Sequence, residues 1–429
     1  SGSNHTPING ELGSFYRPDG LLANSKLKWE TTISRNFGID FGFLNNRVNG
    51  SLEVYWNTTK DLLMAVPVDN TTGYSYQFQN FGKTSNRGIE LSVNVDVINK
   101  GDFRFNVGAI YNYNRNKLDE LPNADQYLYS SYWGSSSLVP TNDYMFVEGK
   151  AIGLVRGFIS EGYYTVDDFN YTNGQYVLKE GVPDITKALT ATYMHPYDLP
   201  AGQTAFPGAA KFRDVDESGT VDLDDATCLG EVMPRHTGSF QLNFNYKNFD
   251  FSTNFNWTAG GKVYNVAAMI NASGQEFDGI GAQRASWVAD AFKVYNVNAA
   301  GDLYAVTNPD ELRALNANAK YHLPYHQSGI TSSEWLENGS YLRLQTLTLG
   351  YTLPKNWLTK VHVDKIRLYL TATNLFTITG YSGIDPEVNA NPTGQSGFYS
   401  DLRIFPTLNM DFGTYPRART FTFGANITF

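Results

Sequence analysis

Apolar and polar residues alternate strictly over many short stretches of this chain. Phe37, Ile39, Phe41 and Phe43 lead into the turn Asn45-Asn46-Arg47, after which Val48, Leu52, Val54 and Trp56 alternate with Asn49, Ser51, Glu53 and Asn57. Successive side chains of a strand point to opposite faces, so this spacing predicts a hairpin with one apolar and one polar face. The pattern returns in Ile89, Leu91, Val93, Val95 and Val97 against Glu90, Ser92, Asn94 and Asp96. After the turn NKGD it continues as Phe103, Phe105, Val107, Ala109, Tyr111 and Tyr113 against Arg104, Asn106, Asn112 and Asn114. Phe240, Leu242, Phe244 and Tyr246 form a third pair with Phe251, Phe255 and Trp257 across the turn KNFD. Two more strands are predicted near 341–353 and 365–376, the first with a parity slip between Leu344 and Leu347 that predicts a bulge. The last, 417–429, sets Phe421, Phe423, Ala425, Ile427 and Phe429 against Thr422, Gly424, Asn426 and Thr428.

Such strands suit a soluble sandwich, whose oily faces meet each other, and equally a membrane barrel, whose oily face meets lipid while the polar face lines a lumen. The connections separate the two. Tight turns near 45, 100 and 248 and the short link 354–364 all fall on one end of the strands, and very long connections, about 118–236, 262–340 and 377–416, fall on the other. A sandwich has no reason to sort its loops, whereas outer-membrane barrels have short periplasmic turns and long extracellular loops. The fold expected is therefore all-β, a transmembrane antiparallel β-barrel with long extracellular loops. Phe429 then faces lipid at the closing seam, and Asp96 and Arg104 face the lumen.

Composition removes other classes. No apolar run approaches the roughly 18 residues of a membrane helix. The mean hydropathy is −0.35. The net charge of −9, from 33 basic and 42 acidic residues without a Lys/Arg cluster, argues against a nucleic-acid partner. A single cysteine, Cys228, excludes an internal disulfide. The opening SGSNHTPING has neither the charged nor the apolar region of an export signal, so a signal is expected to have been removed or to lie on sequence outside this chain.

Several segments carry a family resemblance. LKWETT (27–32), DLLM (61–64), SNRGIELSV (85–93), NGSYLRLQTLTLGYTLP (338–354), LYLTATNLFTITGYSGIDPEV (368–388) and RTFTFGANITF (419–429) resemble, in order, the C-terminal half of SusC-like TonB-dependent outer-membrane transporters. The resemblance implies a barrel of 22 strands with an internal plug. A SusD-like surface lipoprotein would close over captured glycan or peptide, and TonB pulling on the plug would drive import. A terminal Phe resembles the signal such proteins present to the insertion machinery. Residues 1–429 read as the C-terminal barrel portion alone, because no plug domain and no TonB box occur in the chain, and nine wall strands do not close that barrel. Its expected partners are its own N-terminal plug and barrel portion, TonB through that plug, the lipoprotein, the glycan or peptide, and outer-membrane lipid. The reading from another class is a passive pore or surface-binding adhesion barrel.

The chemistry is sparse. DVDESGTVDLDD places Asp214, Asp216, Ser218, Thr220, Asp222 and Asp225 at positions 1, 3, 5, 7, 9 and 12 of a calcium loop, with Gly219 at position 6 for the sharp turn. Oxygens at that spacing converge on one hard cation, so these residues, with the Thr220 carbonyl, are expected to hold structural Ca2+, with Mg2+ second because it demands octahedral geometry. A loop this long is expected to have little core of its own, so the cation would fix its fold. SusC-like proteins often carry a similar acidic loop here, commonly with Asp or Asn where this chain has Ser218. Tyr127, Tyr129, Tyr132 and Trp133 in DQYLYSSYWGSSS suit stacking on a sugar or gripping peptide, the blander alternative being that they pack the loop on itself or against a partner protein. His322 and His326 are separated by Pro324, which denies them a shared helix face, and are read as loop residues. No nucleophile-and-base motif, HExxH or phosphate loop is present, so no enzyme is expected.

Overall fold

The computed structural model describes residues 4–8, 11–15, 21–74, 76–80, 82–121, 126–131, 138–190, 195–273, 285–324, 329–358, 363–388 and 408–429. Among them, nine strands form one sheet in which every strand pairs with its neighbours in sequence. They are β1 (Thr31–Phe43), β2 (Val48–Lys60), β3 (Lys83–Lys100), β4 (Phe103–Glu120), β5 (His236–Tyr246), β6 (Phe249–Ala259), β7 (Tyr341–Thr352), β8 (Lys365–Thr379) and β9 (Thr420–Thr428). All eight pairings are antiparallel. The alternation in the sequence thus becomes a meander at the predicted positions.

The register carries the two faces across the whole sheet. One row runs Phe41, Gly50, Val93, Ala109, Phe240, Phe255, Leu344, Phe376, and every member is apolar or glycine. The row one residue further along β3 runs Gly42, Asn49, Asn94, Gly108, Gln241, Asn254, Thr346, Thr373, Thr420, and contains no large apolar residue. A one-residue slip would exchange the faces everywhere, so the pattern itself fixes the pairing. Aromatic rungs tie neighbouring strands on the apolar face: Phe105 stacks on Phe244 at 4.2 Å and Phe240 on Phe255 at 4.6 Å. Gly50 is needed beneath this face, because a Cβ there would lie 2.8 Å from the Phe41 ring and 2.0 Å from the Ser92 carbonyl oxygen. The apolar face is bare: Phe37 is 61% exposed, Phe43 59% and Phe423 77%. A continuous apolar surface of this extent requires an apolar solvent.

Three irregularities adjust the register, one of them between Lys83 and Thr84 at the start of β3. The one expected between Leu344 and Leu347 is present at Gln345. The third lies between Asp96 and Ile98, so Ile98, and not Val97, stands opposite Phe105 as the strand approaches its turn. The short turns, 44–47, 101–102, 247–248 and 353–364, lie at one end of the strands. At the other end lie 61–82, 121–235, 260–340 and 380–419. The 61–82 excursion, absent from the sequence reading, forms a small sheet from Leu21–Leu22, Leu63–Pro67 and Tyr76–Asn80.

The buried core sits mainly in the long connections, with Leu118 at the end of β4 reaching into it, which corrects the expectation that they lack one. One cluster gathers Tyr129, Tyr144, Phe146, Tyr264, Trp335 and Met410, and a second gathers Phe158, Tyr164, Tyr176, Phe206, Phe292 and Leu312. Each cluster draws on connections far apart in sequence, so a core unavailable within one loop is built between loops. Tyr144 and Tyr264 are fully buried, and burying a side chain of this size contributes about 1.5 to 3 kcal/mol of transfer free energy.

Candidate functional site

The acidic segment 214–225 enters from a strand, Ala210–Phe212, paired with Ser160–Tyr163. It leaves through a 3-10 turn, Leu223–Asp225, into the strand Thr227–Glu231. Between them Thr220–Val221 pairs in parallel with Asp184–Ile185. Strand and turn therefore hold the loop where paired helices would hold one in a calcium sensor.

Asp225, the residue at position 12, is completely buried. Its Oδ1 accepts from the Val215 and Asp216 backbone N–H groups at 2.6 and 3.3 Å, and its Oδ2 from the Asp222 N–H at 2.8 Å. A buried carboxylate is tolerable only with such partners, and here they pin the two ends of the loop together. The Asp214 carboxylate accepts from the N–H groups of Ser218 at 3.1 Å and Gly219 at 2.7 Å, and Asp216 accepts from Ser218 N–H at 3.0 Å. The Ser218 side chain and backbone hold the exposed Asp216 carboxyl below the usual carboxylate range. Gly219 has φ +86°, the left-handed region that favours glycine, and position 6 needs it.

Asp214, Asp216 and Asp225 thereby bring carboxylate oxygens within 4.8 Å of one another. The rest of the predicted set is placed differently. Ser218 Oγ donates to the Thr220 carbonyl at 3.0 Å, so these two oxygens face each other. The Asp222 carboxylate accepts from Asp224 N–H at 2.8 Å and caps the 3-10 turn. Three converging carboxylates with no nitrogen or sulfur donor fit a hard cation.

The aromatic candidates divide. Tyr129 is only 4% exposed and stacks on Phe146 at 4.7 Å and Tyr144 at 5.5 Å, and Tyr127 is half-buried against the same cluster. Tyr129 is therefore a core residue and offers no face to a ligand, because the hairpin Gln126–Tyr129 with Tyr144–Val147 turns it inward. Tyr132 and Trp133 lie outside the described residues, as does His326.

Two groupings escaped the sequence reading. Arg343 of β7 is 2% exposed; it donates to Asp385 at 2.5 Å, Glu387 at 3.1 Å and Thr377 at 3.0 Å. Glu387 also accepts from Arg417 at 2.6 Å. This fastens the segment after β8 to the polar face of the wall, and the Asp-Pro-Glu run in GIDPEV was its only trace in the sequence. The second grouping sets His322 Nε2 3.8 Å from Glu334 Oε2 beside Trp287. Burial lowers the His322 imidazole to about 4 and raises the Glu334 carboxyl to about 7.

Comparison with known proteins places this geometry. The sequence model of the family described as "TonB dependent receptor-like, beta-barrel" matches residues 3–375. TonB-dependent receptor P3 of Formosa agariphila is 30% identical over 409 residues, 95% of this chain and 35% of that protein. TonB-dependent receptor SusC of Bacteroides thetaiotaomicron is 27% identical over 433 residues, 99% of this chain and 34% of that protein. The chain thus spans about a third of the length of the curated relatives it matches. Among solved structures, the RagAB peptide importer in its "open-open" state covers 100% of this chain and 38% of its own, with a TM-score of 0.64 at 22% identity. That likeness shows the fold.

Proposed function

Because the chain belongs to the TonB-dependent receptor-like β-barrel family and its strands are part of an outer-membrane β-barrel wall, we propose that it serves TonB-dependent import of a glycan or peptide. The observation that supports this reading best is the pairing of a lipid-facing wall with a separately packed outer cap, over a chain matched nearly end to end by curated TonB-dependent receptors. Residues 1–429 supply the C-terminal part of a 22-stranded wall, and the plug, the TonB box and the remaining strands come from the N-terminal part of the same protein. A SusD-like surface lipoprotein seats on the long connections as a lid. No catalytic role is proposed.

The acidic loop serves this cap as a structural Ca2+ site. Asp214, Asp216 and Asp225 hold the ion, and the Thr220 carbonyl, Ser218 and Asp222 complete the shell once their oxygens turn inward. The cation neutralises carboxylates that otherwise repel one another. Its task is local, since the loops already share a core.

The test is uptake by cells whose only copy of the full-length transporter is wild type or lacks the segment 121–235, offered fluorescent oligosaccharides and peptides, with and without TonB. The expected result is energy-dependent uptake lost in both mutants. Uptake that persists without TonB would establish a passive pore instead.

A further inference from the structure

At the outer rim of the lipid-facing wall, three arginines stand side by side. Arg35 on β1 pairs in register with Trp56 on β2, Trp56 with Arg87 on β3, and Arg87 with Arg115 on β4. All four share the parity of the apolar face, with Phe37, Val54, Ile89 and Tyr113 as the next row inward. Strands lie about 4.8 Å apart, so the three guanidinium stems occupy about 14 Å of rim. All three arginines are exposed.

Among the described residues, none of the three guanidinium groups has an ion pair or hydrogen bond. The contrast with other arginines is direct. Arg213, Arg235, Arg313, Arg343, Arg367 and Arg417 each hold a carboxylate. Lys117, the next basic residue above Arg115 on β4, has Asp119 at 3.6 Å. Within a chain of net charge −9, the row is a local concentration of unpaired positive charge on the face that meets lipid.

Its height explains how it is tolerated. From Phe103 to Tyr113, β4 advances about 3.3 Å per residue at a tilt of about 40°, a rise of about 25 Å that matches the apolar band of such barrels. Arg115, the next outward position, therefore stands at headgroup level, at the end of the wall that carries the long extracellular connections. A cavity of about 520 Å³ opens here, lined by Val54, Trp56, Arg87, Ile89 and Tyr113 among others. Its floor is apolar, and of the three arginines Arg87 lines it, with Arg35 and Arg115 in the same row to either side.

From this juxtaposition we infer that the rim binds a phosphorylated glycolipid headgroup of the outer leaflet. Arg35, Arg87 and Arg115 grip phosphate oxygens, Trp56 and Tyr113 lie against sugar, and an acyl chain runs down Val54 and Ile89. Guanidinium forks match phosphate geometry and are strengthened where water is scarce. The chemistry would also take a free phosphate, and the apolar floor favours the lipid.

The test uses the full-length transporter in mild detergent, with native mass spectrometry reading bound diphosphoryl lipid A. Three lost charge contacts, each worth about fivefold at a membrane surface, are expected to weaken binding about a hundredfold in the triple variant Arg35→Gln/Arg87→Gln/Arg115→Gln. Arg104→Gln, on the lumenal face, is expected to bind as wild type. On the wild-type protein, which removes any question of misfolding, dephosphorylated lipid A is expected to bind far less, and rising salt to weaken binding of the phosphorylated form. Equal binding of the two lipids, or of triple variant and wild type, would overturn the proposal. Inorganic pyrophosphate competing at the same concentration as lipid A would make this a phosphate site without a lipid, and phosphatidylglycerol binding as tightly would reduce it to an unspecific charged belt. Either result overturns it too.

Discussion

Replacing Val93 by arginine tests the assignment of faces most directly. Val93 lies in the apolar row between Gly50 on β2 and Ala109 on β4, and Ala109 stands between Phe103 and Tyr113, the inner and outer ends of the apolar stretch on its strand. The position is thus near the bilayer midplane, where an arginine on the lipid face of a barrel costs about 2 to 4 kcal/mol. Asn94 is one residue away, paired with Asn49 and Gly108 in the polar row, where the same guanidinium would be hydrated. Urea unfolding of the full-length protein from lipid vesicles should show Val93→Arg with its folding equilibrium shifted by about 30- to 900-fold, and Asn94→Arg shifted by less than fivefold. The row occupied by Arg87 provides the internal scale, since cost falls to about 0 to 1 kcal/mol near the interface. If Val93→Arg is no worse than Asn94→Arg, the apolar rows do not face lipid and the wall has been read inside out.

Three further outcomes follow from the loops. Asp225→Ala should destabilise the outer cap by about 2 to 4 kcal/mol with or without calcium, because three backbone N–H groups lose their acceptor, whereas Asp216→Asn should leave the calcium-free cap unchanged and weaken calcium binding about tenfold or more. Calorimetry with EDTA and added Ca2+ separates the two, and equal behaviour of both variants would remove the metal. His322, lowered to about 4, withdraws stability as pH falls from 6.5 toward 4, and Glu334, raised to about 7, withdraws it as pH rises from 4.5 through 7. The two oppose each other in between, so Glu334→Gln should expose the His322 trend alone, a cap that gains stability up to pH 6.5 and is then flat; a hydrogen-exchange profile like wild type's would refute this. Cysteine at Ala300, on an exposed turn of the 260–340 connection, should label with an impermeant reagent on whole cells, and cysteine at Asn46 should not; the reverse would invert the topology.

The wall was legible almost residue by residue because a strand between lipid and water has two solvents, and each side chain declares which one it meets. Phe103 to Tyr113 and Phe240 to Tyr246 needed no tertiary information to be placed. The outer cap was not legible, because its partners are remote in sequence. Tyr129 lies in a stretch of serines and tyrosines that reads as a wet surface, yet Tyr144 and Phe146 bury it. Ser131, in the same polar run, is 2% exposed because its N–H and hydroxyl both donate to the buried Asp143. The acidic loop lies between these cases. Spacing gathered Asp214, Asp216 and Asp225, but it did not foresee that Asp222 would cap a turn or that Ser218 would bond to Thr220.

The tyrosine hydroxyl of residue 144 donates to the carbonyl of Leu408 at 3.1 Å, across 264 positions of chain. The wall needs shorter reaches, since each of its strands pairs with its neighbour in sequence, four of the pairs across short turns. Loop closure over so long a span is entropically slow unless the ends are already held near each other. Assembly of the cap must therefore wait for the sheet, and the surface-exposed half of the molecule becomes a report on the hidden half. A cell, or an experimenter with a protease, needs only to probe the outside to learn whether the last strands have gone in.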